Sequence, residues 1–193
     1  MTQLLIDIIR YIPIPLYLSY LVLTTWIIHK FPLGGHRSIS DHISHSGKYF
    51  KVSATVFSIT AVGLCLNVLF WIIPHHSEAT AYGILTLFFL LAGFGLSWFP
   101  ADAAGSKKRE HILHVTSVFI LYASILAFSV ISIFTTIDTA PVASAVAQST
   151  LVIYIWLMLL YLFYKPSHNH FIFYETIGIS AFFLLFIALA VNI

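Results

Sequence analysis

The sequence predicts an all-α, polytopic membrane protein, a bundle of six transmembrane helices forming a single domain over residues 1–193. Three observations carry that expectation. Sixty percent of the 193 residues are hydrophobic and only 8% are charged, against roughly 25% charged in an ordinary soluble domain. The apolar residues gather into runs near 9–28, 52–73, 80–99, 112–134, 146–164 and 171–192, each close to the roughly 20 residues a helix needs to cross hydrocarbon. The links between runs are short, and every backbone N–H and C=O in lipid has to be satisfied within its own segment, which favours a compact helical bundle. Long unbroken apolar runs exclude a barrel, whose strands alternate.

The first run, rich in Leu and Ile, is long enough to span and has no small-x-small cleavage site after it, so it reads as a retained helix and not as a signal peptide. The second carries Cys65, the only cysteine, in mid-span, so no intramolecular disulfide is expected. Gly63 in helix two and Gly83, Gly93 and Gly95 in helix three mark places where backbones can approach closely, and they predict a central position for helix three. Asn67 in helix two and Gln148, Ser149 and Thr150 early in helix five read as interhelical hydrogen-bonding groups rather than a transport path. Helices one, three and five each end in an aromatic closely followed by proline, at Phe31-Pro32, Phe99-Pro100 and Tyr164-Lys165-Pro166. Proline cannot continue the ladder, so it stops each helix.

Charge sets the expected orientation. Lys30, Arg37, Lys48 and Lys51 fall in or beside link one, Lys107, Lys108 and Arg109 in link three, and Lys165 in link five. Links two and four have no Lys or Arg, and only Arg10 lies at the other end. The positive-inside rule then places links one, three and five in the cytoplasm and both termini outside. The basic triplet in FPADAAGSKKREHILHV, residues 99–115, is explained as a topogenic anchor, and a net charge of +2 gives no reason to expect nucleic acid as a partner.

The same side collects the polar candidates. SISDHISHSGKYF in link one reads as a short helix with Ser40 as N-cap and Gly47 as stop, which sets Asp41 and His45 four apart on one face with Ser44 beside them. In link three Asp102 follows the end of helix three, and His111 and His114 share the first-turn face of helix four. Glu175 lies near the hydrocarbon edge of helix six, about 9 Å along the axis from an Asn169 N-cap. It reads as a structural partner of Lys165 or a cytoplasmic histidine, or as a proton-handling or ligand residue.

If the links converge, Asp41, Ser44, Asp102, His111, His114 and Glu175 form a small polar site at the cytoplasmic interface, suited to a lipid headgroup or another small polar ligand, with membrane lipids as partners. The alternative is a metal-dependent hydrolase of a lipid ester or amide. There Asp102, His111 and His114 would hold a Zn²⁺ that activates water, with Asp41 as base or further ligand. No H-E-x-x-H and no cysteine pair supports a metal by spacing, and histidines that simply tolerate interfacial water are the plainer explanation of the pattern. Haem is disfavoured because no histidine lies near mid-span. A carrier centred on Glu175 is disfavoured by the lack of several mid-span charges.

SISDHISHSG ahead of a helix, GFGLSWFPAD closing one and HILHVTSVF opening the next resemble the domain of unknown function 998 (DUF 998) family, and more distantly the six-helix Frag/DRAM-type membrane proteins. The resemblance covers roughly residues 10–135 and, less distinctly, the last two helices. It implies that Asp41, Ile43 and Ser44 match the family's aspartate-x-isoleucine-serine segment. It likewise implies that Phe99, Pro100 and Asp102 match its FPxD corner, and His111 or His114 the histidine opening the following helix. That locates a site without naming a reaction, and distant relatives point only to lipid handling. The orientation the family implies, amino terminus inside, is the reverse of the one the charges imply here.

Overall fold

Proline interrupts the first apolar run. In the computed structural model, which describes residues 3–33, 38–99, 108–164 and 171–192, helix α1 (Gln3–Tyr11) gives way at Ile12 to α2 (Pro13–Lys30). Pro13 stands at the start of α2, where its missing N–H costs nothing but where it cannot extend the α1 ladder. The first span therefore begins at Gln3, ahead of the expected position near 9, and is two helices instead of one. Link one contains α3 (Ile39–Ser44) and a 3-10 turn (Gly47–Tyr49). Helix α4 (Phe50–Asn67) runs on through a π-helical turn (Val68–Ile72) and a 3-10 turn (Ile73–His75). Then follow α5 (Ala79–Trp98), α6 (Lys108–Thr136), α7 (Pro141–Tyr164) and α8 (Phe171–Asn192). Helix α7 starts at Pro141 and not near 146, again because proline is favourable at a first helical position.

Among the described residues, six stretches are long and apolar enough to cross a membrane: Gln3–Lys30, Gly47–His75, Ala79–Trp98, Arg109–Thr136, Pro141–Leu160 and Ile172–Asn192. Large apolar side chains point outward along them, among them Val22 at 70%, Phe134 at 76% and Val152 at 65% exposure. Water would disfavour that much bare hydrocarbon surface, whereas lipid matches it. Hydroxyls inside the spans are satisfied locally: Thr60, Thr86, Ser97, Ser124 and Ser129 each donate to the carbonyl four residues back. The protein is a multi-pass membrane protein built as a helical bundle.

The six spans form a ring. Helix α4 packs on α2, α5 on α4, α6 on α5, α7 on α6 and α8 on α7, and α8 closes back against α1 and α2. Phe89, Phe128, Phe182 and Phe186 fill the middle, with the Phe89–Phe182 and Phe128–Phe186 rings stacked at 5.0 Å. Helix α5 is not central, contrary to the glycine-based expectation. Its Ile84, Leu87, Phe88 and Leu91 face outward, while the second and last spans are the most buried. The glycines act instead at pairwise contacts. A Cβ on Gly93 would lie 2.7 Å from the Ala61 Cβ, and one on Gly95 would collide with Ser117, so they let α5 approach α4 and α6; Gly83 faces open space.

The end away from links one, three and five is tied by polar groups. Asn67 Nδ2 donates to the carbonyls of Ile9 at 2.9 Å and Arg10 at 3.1 Å, joining α4 to the end of α1 as an interhelical group should. Arg10 Nε donates to Ala190 O at 2.6 Å and its Nη2 to Val191 O at 3.3 Å. A cation there satisfies orphan carbonyls and meets the negative end of the α8 dipole. Thr150 bonds across to Ala181 O at 3.1 Å, linking α7 to α8.

Candidate functional site

The site is built around α3. Ser38 is its N-cap: the Asp41 amide donates to Ser38 Oγ and the Ser38 amide to Asp41 Oδ2, both at 3.0 Å, which is a capping box. This corrects the expectation of Ser40. An Asp three residues after Ser38 closes the box, whereas Ser40 Oγ sits 2.9 Å from Ser38 Oγ. Helix α3 ends at Ser44 with His45 as its C-cap, three residues ahead of the expected stop at Gly47, and Gly47, with φ +60° in the left-handed region that glycine tolerates, opens the 3-10 turn instead. Asp41 and His45 share a face, with His45 Nδ1 2.8 Å from Asp41 O.

The opposite face of α3 is apolar. Ile39 and Ile43 are buried with Ile27 of α2, and Phe57 of α4 and Ile172 and Ile179 of α8 pack against them. His42 shares that face and is 1% exposed. Its Nδ1 lies 2.8 Å from Ser38 O, and the Leu33 amide donates to its Nε2 at 3.2 Å. An amide hydrogen on Nε2 leaves the ring proton on Nδ1, so the hydrogen-bond network assigns a neutral imidazole. His42 owes its burial to its place in the i, i+3, i+4 stripe of Ile39, His42 and Ile43.

Glu175 completes the docking. Its Oε2 accepts from the Ile39 amide at 2.6 Å, so the carboxylate of the last span holds the first amide of the link-one helix. Lys165, one of the partners expected for Glu175, lies outside the described residues. Asp41 is close enough to act electrostatically on Glu175 and on His114, and Tyr20 of α2 lies within similar reach of Glu175. Asp41 is thus within electrostatic range of both Glu175 and His114.

His114, 5% exposed, points its Nδ1 at Phe99 O from 2.8 Å. Phe99 is the C-cap residue that follows α5, so His114 ties the exit of one helix to the first turns of the next. One turn further, Ser117 packs against Gly95. His111, one turn before His114 and so on the same side of α6, is exposed where His114 is buried. Ser44 donates to Ser40 O at 2.8 Å. Asp102 lies outside the described residues, so the Asp102, His111 and His114 set expected for Zn²⁺ is not described as a whole. With Nδ1 on Phe99 O, His114 has only Nε2 to offer a metal, and among the described residues no group of three or more His, Cys, Asp or Glu side chains is arranged to hold one.

Cations and aromatics rim the same end. Lys30 Nζ sits 4.8 Å from the Trp26 ring centroid and 4.9 Å from that of Tyr49, and donates to Tyr49 Oη at 3.4 Å. Lys48 lies 5.3 Å from the Tyr49 ring centroid. Aromatic rings with lysines beside them are the usual furniture of the headgroup layer, where a ring and an ammonium both find partners.

No family model, no curated protein and no solved structure matches the chain. The resemblance to the DUF 998 family thus gains no support from comparison, and what stands is the six-helix apolar bundle itself.

Proposed function

We propose that this membrane protein holds the polar headgroup of a membrane lipid at the link-side mouth of the ring, and that this side is cytoplasmic. The observation that carries the reading is the Ile39–Glu175 bond, which docks link one on the last span and brings the carboxyl groups of Asp41 and Glu175 to the same end of the ring. Two carboxyl groups gathered at a membrane interface offer acceptors to a donor placed between them. An amine-bearing headgroup supplies that, and Lys30, Lys48 and Arg109 on the rim suit its phosphate. Ser44, Asp102 and His111 belong to the proposed site as flanking hydrogen-bonding groups.

Binding of labelled phosphatidylethanolamine, phosphatidylcholine and phosphatidylglycerol to the detergent-purified protein tests this. Asp41→Asn and Glu175→Gln are expected to weaken phosphatidylethanolamine about tenfold, the roughly 1.4 kcal/mol of a charge-assisted bond, and to leave phosphatidylglycerol unchanged. Equal binding by wild type and both variants overturns the reading.

A further inference from the structure

At the opposite end of the ring, two buried polar atoms on one face of α4 and its π-helical extension have no hydrogen-bond partner among the described residues. Asn67 is 0% exposed and Trp71 is 7% exposed, yet Asn67 Oδ1 and Trp71 Nε1 make no hydrogen bond. The Asn67 amide cannot be turned round, because its Nδ2 serves two carbonyls, Ile9 O and Arg10 O, and a flip would set oxygen against oxygen. Its Oδ1 is therefore an acceptor aimed away from those carbonyls. The Trp71 indole N–H is a donor only. Residues four apart share a side of a helix, and both meet the same neighbour: Asn67 bonds the Arg10 carbonyl, and the Arg10 guanidinium lies 4.5 Å from the Trp71 ring centroid. The backbone between them is π-helical, with the Ile73 amide reaching Val68 O, a widened turn that recurs at functional positions.

Leaving a buried donor and a buried acceptor both unmade costs about 1–3 kcal/mol each, and native interiors nearly always avoid it. A single guest that accepts from the indole N–H and donates to the amide oxygen satisfies both. Phosphate and carboxylate groups only accept, and ammonium groups only donate, so neither fits the pair. An O–H group does both. We propose that the π-helical turn of α4 frames a hydroxyl-binding site between Asn67 Oδ1 and Trp71 Nε1, occupied by a water molecule. Exposed His75 lies about 6 Å further along at 1.5 Å per residue, so the site is about one turn from the adjacent membrane surface. The site is independent of the headgroup reading, since it lies at the other end of the bundle.

Two measurements on the folded protein test it. In a structure of the wild-type protein in lipid nanodiscs, at a resolution that shows ordered waters, a density peak is expected within about 3.2 Å of both atoms. An isolated peak identifies water, and one continuous with an acyl chain identifies a lipid hydroxyl; either supports the hydroxyl site. Empty density at both atoms, or a direct bond from Trp71 Nε1 to another side chain, overturns it. Ultraviolet resonance Raman of a variant with Trp26, Trp98 and Trp156 replaced by Phe isolates Trp71. Its indole N–H band is expected at the hydrogen-bonded frequency, and a band at the unbonded frequency overturns the proposal.

Discussion

Glu175→Ala removes the one described side-chain acceptor on the Ile39 amide while leaving the Ile39 and Ile43 packing in place. Glu175 Oε2 accepts at 2.6 Å from the amide of buried Ile39. Leaving a buried donor unmade costs about 1–3 kcal/mol. Taking about 2 kcal/mol, local opening of α3 becomes about 30-fold more frequent. Hydrogen exchange reads this directly at the affected atom: the Ile39 amide is expected to exchange about 30-fold faster in Glu175→Ala. Glu175→Gln keeps a carbonyl acceptor for the amide, so exchange is expected to stay within about fivefold of wild type. Amides in the middle of α8, such as that of Leu185, serve as an internal control and should not change. An Ile39 amide exchanging at the wild-type rate in Glu175→Ala would show that α3 is held by its isoleucines alone.

Other expectations follow from the ring contacts. Gly95→Ala sets a methyl against Ser117 where α5 meets α6 and is expected to cost about 1–3 kcal/mol in detergent unfolding, whereas Gly83→Ala, facing open space, should be near neutral. Arg10→Ala removes two donors from the end of α8 and a guanidinium from the Trp71 ring, a loss of about 2 kcal/mol; Arg10→Lys should recover part of it, and an unchanged melting temperature in both would refute the clamp. Burial, and then the neighbouring His75, hold the His76 imidazole below its usual pKa. The unfolded chain then binds the extra proton, so stability is full above about pH 6.5 and falls as pH drops through the folded value. His76→Gln should flatten that acid-side slope, and an identical slope in the variant would contradict the assignment.

The spans were legible because hydrocarbon thickness fixes how long an apolar run has to be. What hydropathy could not show was the break at Ile12, since Pro13 is itself compatible with a helix start, or the return of α8 to α1 and α2. The glycines of helix three identified close contacts correctly at Gly93 and Gly95 but not a central position, because a glycine records what one neighbour does and not how many neighbours there are. In the candidate site, Asp41, His114 and Glu175 were singled out by residue type and side. The bond that docks α3 on the last span was invisible, because its donor is the backbone amide of Ile39, 136 residues from Glu175 in sequence. Asp41 also has a plainer duty than ligand binding, closing the capping box at Ser38, and the sequence displays that as S-x-x-D two residues earlier than the N-cap first assigned.

Native mass spectrometry of the wild-type protein released gently from its membrane tests the headgroup account most directly. The account predicts one tightly retained lipid per chain, amine-bearing, that dissociates in Asp41→Asn and Glu175→Gln. A chain that emerges without lipid, or that retains lipids irrespective of headgroup and of both substitutions, would contradict it.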